Sequence, residues 1–162
     1  MNRLCCEEGF FPVLLGMEKM NAGPCGRLQQ KLETPCAVFL SGECSADIMT
    51  GVLRQLSALI TSRYHAAVLS MDGGCPIAAV SMDERLDSLM RENALEENYL
   101  FSVSEADLGN RVAAAVTEGM EHRDEIRGYL KERVAKYQEM QREMGAFLKN
   151  YLLNGPGHGS EK

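Results

Sequence analysis

Five short apolar runs recur along the chain, and each is separated from the next by turn residues and a stretch with helical spacing. The runs lie at residues 12–16, 36–40, 57–61, 76–80 and 98–103. Continuous hydrophobicity over so few residues is typical of strands that are covered on both faces. Alternation of such strands with helices is typical of repeated strand-helix units. The pattern predicts an α/β fold with a parallel sheet of about five strands flanked by helices.

Helical spacing predicts the elements between these runs. A helix is expected over residues 22–32, and a second one begins after Ser45, whose side chain can cap it. Gly73 and Gly74 are expected to end the helix that follows the third run, and another short helix follows Arg85. The predicted inward stripes of the second and last of these helices are Ile48, Met49, Val52, Leu53 and Leu56, and Leu86, Leu89 and Met90.

The C-terminal third of the chain predicts two helices. Ser104 and Asp107 resemble a capping box before the first, whose expected buried face is Leu108, Val112, Val116 and Met120. The second runs from after Asp124 to about residue 152, with an apolar stripe at Ile126, Leu130, Tyr137, Met140, Met144, Phe147 and Tyr151. Such a long stripe is expected to dock on the helices of the sheet or on another domain or subunit.

Length and composition limit the class of protein. The chain has 162 residues, which predicts one domain over residues 11–153, with an N-terminal extension at 1–10 and a disordered tail at 154–162. A formal net charge of −6 argues against a broad nucleic-acid surface. Glu7 and Glu8 interrupt the N-terminal apolar stretch, so neither a signal peptide nor a membrane anchor is expected. These features predict a cytoplasmic protein.

The six cysteines form no Cys-x-x-Cys pair, and no histidines lie at zinc-finger spacing from them. Several lie in or beside the apolar runs. We therefore expect reduced thiols that pack as small apolar side chains, and we expect no metal and no cofactor.

Charged side chains follow two neighbouring runs at the point where each run ends. Arg63 and His65 come directly after the third run, and Asp83 and Arg85 come after the fourth. Because the carboxyl ends of parallel strands meet at one edge of a sheet, these side chains are expected to share a pocket for a small anion. An arginine suits a carboxylate or phosphate, and a histidine can move a proton. Alternatively, Asp83 only caps a helix, and Arg85 pairs with Asp83 or Glu84 on the surface.

The same residues carry a resemblance to a known family. Ser62-Arg63-Tyr64-His65-Ala66, then Gly74-Cys75-Pro76, then Met82-Asp83-Glu84-Arg85 resemble the C-terminal half of the polysaccharide pyruvyl transferases. The similarity extends over residues 11–152, and the Arg-x-His-Ala segment is its most specific part. Where that family has a tyrosine and a lysine in the last motif, this chain has Met82 and Arg85.

The resemblance implies a GT-B architecture with a Rossmann-like domain, and transfer of a pyruvyl group from phosphoenolpyruvate to a sugar diol as a ketal. It implies that Arg63 binds the donor's carboxylate or phosphate, and that His65 contacts the phosphate or acts as general acid. Ser62, Tyr64 and Arg85 would be the further substrate-binding residues. The acceptor would be a glycan or glycolipid, in exopolysaccharide biosynthesis.

The family's N-terminal domain has no counterpart in the 162 residues, so we expect a separate N-terminal domain, or a homo-oligomer through the C-terminal helix, to complete the cleft. Two other readings stay open. One is the donor-binding half of a nucleotide-sugar glycosyltransferase, in which Glu84 would contact a ribose. The other is an inactive truncated remnant or an interaction module.

Overall fold

The computed structural model describes residues 1–154, with the side chains of Lys19 and Asn154 left aside. Except for Asn154, the predicted tail lies outside the described residues. The predicted extension at residues 1–10 contains a helix whose Leu4 is buried in the core. None of the helices within residues 1–154 is long and apolar enough to cross a bilayer.

All five predicted strands are present, and every pairing between them is parallel. They are β1 (Val13–Gly16), β2 (Ala37–Leu40), β3 (Leu59–Thr61), β4 (Ile77–Ser81) and β5 (Leu100–Ser102). They form two sheets, one of β1 and β2 and one in the order β3-β4-β5. The prediction of a single sheet of about five strands is therefore wrong.

An apolar cavity lies between the two sheets. It has a volume of about 510 Å³, and residues 12–15 of the first sheet and 56–61 of the second line it. The edge strands β1 and β3 therefore face each other across a space, and in residues 1–154 the ladders join only β1 to β2 and β3 to β4 to β5. Strands of three or four residues supply few cross-strand hydrogen bonds with which to close such a gap.

Eight helices connect and cover the strands in the described part of the chain. They are α1 (Asn2–Cys6), α2 (Ala22–Gln29), α3 (Ala46–Gln55), α4 (Tyr64–Met71), α5 (Glu84–Glu92), α6 (Glu96–Tyr99), α7 (Leu108–Glu121) and α8 (Arg123–Asn154), with a single 3-10 turn at Lys19–Asn21. The alternation of strands and helices confirms the predicted α/β class. Helix α2 ends three residues before its predicted limit.

Helix α3 begins as predicted, but its buried face is narrower. The hydroxyl of Ser45 accepts a hydrogen bond from the backbone N–H of Ile48 at 3.3 Å, which confirms the cap. Met49 and Leu53 are buried, whereas Ile48 is 52% exposed. The prediction of Ile48 as an inward residue is wrong, because α3 packs mainly against α4 on one side and leaves its first turn open to solvent.

The turn between α4 and β4 depends on two glycines, as predicted. Gly74 adopts φ +69°, a left-handed conformation that suits glycine. A Cβ atom at Gly74 would lie 2.6 Å from Cγ of Arg127 on α8, and one at Gly73 would lie 2.2 Å from the carbonyl oxygen of Arg54. The turn is therefore pressed between the end of α3 and the start of α8.

Helix α7 does not start with the predicted capping box. Asp107 occupies the cap position with φ +59°, and Ser104 belongs to the preceding turn, where its backbone N–H donates to the hydroxyl of Ser102. The carboxylate of Glu105 accepts from the N–H of Ser102 at 2.7 Å and holds that turn. The predicted inward residues Val112 and Val116 are buried, and Leu108 and Met120 are half-buried.

Helix α8 is buried along its first half only. Leu130 is fully buried, and the half-buried Ile126, Val134 and Tyr137 pack against the same core. From Met140 onward the apolar stripe is exposed. The stripe therefore docks on the domain over about four turns and then continues into solvent.

The core lies around β4, the central strand of the three-stranded sheet. Ile77, Ala78 and Ala79 of this strand are buried, as are Leu86, Leu89 and Met90 of α5, which confirms the predicted inward face of that helix. Strand β3 is an edge strand, with Leu59 buried and Ile60 partly exposed. This arrangement brings the carboxyl ends of β3 and β4 side by side.

Candidate functional site

A polar cavity of about 620 Å³ lies beyond the carboxyl ends of β1, β3 and β4. It is lined by Met17 and Glu18 after β1, by Ser62, Arg63, Tyr64, His65 and Leu69 after β3, and by Met82, Asp83 and Arg85 after β4. All five predicted site residues therefore line one cavity. Parallel pairing of β3 with β4 places the two predicted motifs at the same edge.

Thr61, the last residue of β3, shapes the turn that carries Arg63. Its buried hydroxyl accepts a hydrogen bond from the backbone N–H of Arg63 at 2.9 Å. Arg63 then adopts an extended conformation at the cap position of α4, with φ −115° and ψ 120°. This local bond fixes the backbone of Ser62 and Arg63 at the mouth of the cavity.

The N-terminus of α4 is left open. Within the described residues, no side chain caps α4, and its first turn has no acidic residue. The neighbouring helices differ, because Ser45 caps α3 and Asp83 caps α5. The first backbone N–H groups of a helix lack intrahelical partners and carry a partial positive charge. At α4 these groups adjoin the cavity and are suited to an anion.

Arg63 pairs with the carboxylate of Glu18, which lies in the loop after β1 of the other sheet. Its Nη1 atom lies 3.0 Å from Oε1 of Glu18, and its Nη2 atom donates to Oε2 at 3.3 Å. The two side chains are 50% and 52% exposed. An ion pair that is this open to water contributes little net stability, so a ligand can replace either partner at low cost.

Arg85 and Asp83 form a second ion pair in the lining. Nε of Arg85 donates to both carboxylate oxygens of Asp83 at 3.0 and 3.1 Å, and the same carboxylate accepts from the backbone N–H of Arg85 at 2.8 Å. These hydrogen bonds lower the pKa of Asp83 to about 2. The cap and the ion pair that the alternative prediction expected are both present, and the two side chains also line the cavity.

Tyr64 links the two motifs through its ring. The guanidinium carbon of Arg85 lies 5.6 Å from the Tyr64 ring centroid, in cation-π geometry, and the His65 ring meets Tyr64 edge-on at 5.4 Å. The guanidinium group of Arg85 therefore contacts the Tyr64 ring and the Asp83 carboxylate. The side chain of Tyr64 is half-buried and forms part of the floor between them.

His65 is exposed at the cavity. The first residues of α4 line the cavity. Among the described residues, the His65 ring takes part in no hydrogen bond, and its partners are the edge of Tyr64 and the charge of Asp83. The imidazole is therefore accessible to a ligand and to water.

The charges around the cavity are balanced. The described lining contains the guanidinium groups of Arg63 and Arg85 and the carboxylates of Glu18 and Asp83. An anion that binds to either arginine must therefore compete with the carboxylate that already pairs with it. Glu18 is the more readily replaced, because Asp83 also caps α5.

Glu18 and Thr61 are site residues that sequence reasoning missed. Glu18 could have been found, because it lies just past the first apolar run, as Arg63 and Arg85 lie past the third and fourth. Thr61 carried no comparable signal, since a threonine at a strand end is common and its hydrogen bond depends on the turn that follows.

Two other candidates lie away from this cavity. Glu84 lines a separate cavity of about 300 Å³ on the far side of Arg85, so it does not join Arg63 and His65. Cys75 is buried, and burial raises the pKa of its thiol, which disfavours the nucleophilic thiolate. Over residues 1–154, no group of three His, Cys, Asp or Glu side chains is arranged to hold a metal ion.

The chain matches no family model, no curated protein and no solved structure.

Proposed function

We propose that this chain is polysaccharide pyruvyl transferase-like and forms the donor-binding half of an enzyme that transfers a pyruvyl group from phosphoenolpyruvate to a sugar diol. The observation that carries the proposal is the convergence of Arg63, His65 and Arg85 on the open N-terminus of α4. A small anion with a carboxylate and a phosphate matches this set, because arginine binds both groups in two-point contacts.

The proposal includes a Rossmann-like domain of the GT-B type, and its α/β class is supported by the parallel strands and the helices between them. The edges β1 and β3 face the same apolar cavity, so the strands follow the spatial order 2-1, then 3-4-5. In doubly wound sheets with this order, ligands bind beyond the carboxyl ends of the strands, between the first and third. The polar cavity occupies the corresponding place here, with residues from the loops after β1, β3 and β4.

The proposed chemistry assigns a role to each side chain. Arg63 binds the carboxylate or phosphate of the donor, Arg85 contributes the second cation, and Ser62 and Tyr64 complete the contacts. His65 donates a proton to the methylene carbon of the donor, which produces an oxocarbenium-like centre. One hydroxyl group of the diol adds to this carbon, the bond to phosphate then breaks, and the second hydroxyl group adds to close the ketal. Of the two hydroxyl protons, one leaves on inorganic phosphate and the other restores His65. Fixed positive charge stabilises the departing phosphate.

The acceptor in this proposal is a glycan or glycolipid, and the compartment is the cytoplasm. The described cysteines are free thiols, which fits a reducing compartment. Glu84, the residue considered for a ribose contact, lines another cavity, so the site offers less to a nucleotide sugar than to phosphoenolpyruvate.

Titration calorimetry with phosphoenolpyruvate, run beside a uridine nucleotide, tests the proposal. Arg63→Ala and His65→Ala should each weaken binding of phosphoenolpyruvate by about 10-fold or more, as expected for loss of a charged hydrogen-bonding group. Arg142→Ala is the matched control, because Arg142 is equally a surface arginine in an ion pair, with Glu139, but lies far along α8. It should bind like the wild type.

Three results would overturn the proposal. They are a wild-type chain that does not bind phosphoenolpyruvate, a stronger preference for the nucleotide, and equal affinity in the Arg63→Ala variant. Urea unfolding of each variant shows whether it is folded. Arg63→Ala should lie within about 1 kcal/mol of the wild type, since its ion pair is exposed.

A further inference from the structure

The apolar cavity between the two sheets takes no part in the proposed function. Its volume of about 510 Å³ lies within the range of sites for small molecules. Buried side chains from four different elements form its floor, namely Leu14 of β1, Leu59 of β3, Ala66 of α4 and Val116 of α7. A mostly apolar lining of this kind suits a ligand with a large apolar part.

The rim of the apolar cavity lies at the protein surface. Phe11, Leu28 and Ile60 line the cavity, and they are 64%, 39% and 38% exposed. Large apolar side chains that are exposed together mark a binding site more often than scattered ones do. The cavity therefore extends from a buried floor to an apolar rim that solvent reaches.

The two cavities meet at Arg63. Among the described residues that line the apolar cavity, Arg63 has the one charged side chain. Arg63 and Met17 also line the polar cavity, whereas Glu18 and Asp83 line the polar cavity and not the apolar one. A ligand in the apolar cavity would therefore meet a single cation at one end and mainly apolar side chains along the rest of its length.

This distribution of charge is complementary to an apolar chain that ends in an anion. A guanidinium group has five N–H donors, so a carboxylate can bind to Arg63 beside Glu18. It can also replace Glu18, because their ion pair is half exposed and contributes little net stability. A neutral hydrocarbon would leave the cation unused, and a cationic amphiphile would be repelled by it.

The volume limits the ligand to one chain. An apolar cavity of about 150 Å³ binds benzene, so by proportion a cavity of about 510 Å³ holds no more than roughly 20 carbon atoms. A single fatty chain fits within this limit. A membrane lipid with two long chains exceeds it.

We propose that the apolar cavity binds a single-chain fatty carboxylate, with its chain between β1 and β3 and its carboxylate at Arg63. The inference goes beyond the proposed function, because neither this ligand nor the floor and rim of its cavity takes part in pyruvyl transfer.

Titration calorimetry of the full chain with hexanoate, decanoate and dodecanoate, all below micelle-forming concentrations, tests the site for the chain. One molecule of dodecanoate should bind per protein. The affinity should rise about two- to fourfold for each added methylene group, since each methylene is removed from water. A chain that binds phosphoenolpyruvate but not dodecanoate would overturn this inference and leave the proposed function standing.

Dodecanol tests the role of Arg63. It should bind the wild type about 10-fold more weakly than dodecanoate does, because it lacks the charge that pairs with the guanidinium group. In Arg63→Ala the two ligands should bind equally, whereas Arg142→Ala, the control, should keep the difference. Equal binding of the two ligands by the wild type would overturn the placement of the carboxylate at Arg63.

Filling the cavity tests its location. Ile60→Trp should weaken dodecanoate binding by about 10-fold or more, because the larger side chain occupies the rim, and Ala58→Phe fills the lining from a second, half-buried position. Val68→Trp is the matched control, since Val68 is 37% exposed on α4 and lies outside the lining. It should bind like the wild type. Urea unfolding identifies the folded variants, and undiminished binding in a folded Ile60→Trp or Ala58→Phe variant would overturn the proposal.

Discussion

Both terminal nitrogens of the Arg63 guanidinium group contact the carboxylate of Glu18, with Nη1 3.0 Å from Oε1 and Nη2 3.3 Å from Oε2. Glu18 follows β1 and Arg63 follows β3, so the contact joins the two sheets across the edge where the sheet is divided. The Glu18 carboxylate also occupies the guanidinium group of Arg63, which would otherwise be free to hold an anion. Binding at this site is therefore an exchange of one carboxylate for another anion.

Removing the competing carboxylate should strengthen anion binding. Glu18→Gln keeps the size of the side chain but deletes its charge, so we expect a several-fold higher affinity for phosphoenolpyruvate by titration calorimetry. Glu139→Gln, which opens the exposed pair with Arg142, is the control and should leave affinity unchanged. A Glu18→Gln variant that binds more weakly would show that Glu18 contributes to the site instead of competing for it.

The Asp83 carboxyl should titrate well below its ordinary range. Hydrogen bonds from Arg85 lower its pKa from 3.8 to about 2 in the folded protein. A lowered pKa means that its stabilising contribution is complete above about pH 4 and is lost as the pH falls toward 2. Carbon-detected NMR should follow this titration, and Arg85→Ala should return the pKa toward 3.8. An unchanged pKa in that variant would rule out Arg85 as the cause.

The buried half of α8 should contribute strongly to stability. Leu130 is fully buried, so Leu130→Ala should lower the free energy of unfolding by about 2–5 kcal/mol through lost burial and a cavity. Leu28, which is 39% exposed on α2, is the control, and Leu28→Ala should cost less than about 1 kcal/mol. Urea unfolding measures both, and equal losses would contradict docking of α8 on the core.

A side chain introduced into the Gly73–Gly74 turn should lower the stability of the protein. Gly74→Ala should destabilise the protein by about 1–2 kcal/mol, because the left-handed backbone conformation is unfavourable for alanine and its Cβ atom would clash with Arg127. Gly51→Ala provides the comparison, since Gly51 lies within α3 and, among the described residues, has open space around its Cβ position. That variant should be more stable by about 0.5–1 kcal/mol. A stabilising Gly74→Ala would contradict the geometry of the turn.

Local features of the fold were predictable where a short pattern determines them. The five apolar runs became strands, Ser45 capped its helix, and the glycine pair ended α4. Each depends on residues a few positions apart. The division of the sheet was not predictable. The composition of each run indicates a strand, but it does not indicate whether β1 pairs with β3. The inward stripe failed at Ile48 for a similar reason, since helical spacing does not say how wide the covering surface is.

The site was predictable in its membership but not in its pairing. Residues after the third and fourth runs line one cavity because parallel strands end together, and this needs only the strand assignment. The role of Glu18 requires knowledge that β1 and β3 end beside each other, which is a property of the strand order. The exposure of His65 likewise depends on how α4 leaves the sheet, and no residue near it in the sequence encodes that direction.

The division of the sheet also bears on which part of the protein unfolds first. Within the described residues, the cluster of buried core residues includes none from β1, β2 or α2, whereas β4, α5 and α7 contribute half of it. We therefore expect the segment formed by β1, β2 and α2 to open before the rest of the domain, so its amide hydrogens should exchange with solvent before those of β4. Glu18 follows β1 in this segment, whereas Arg63 follows β3 of the three-stranded sheet. Partial opening would thus release the arginine while leaving its own helix and strand intact.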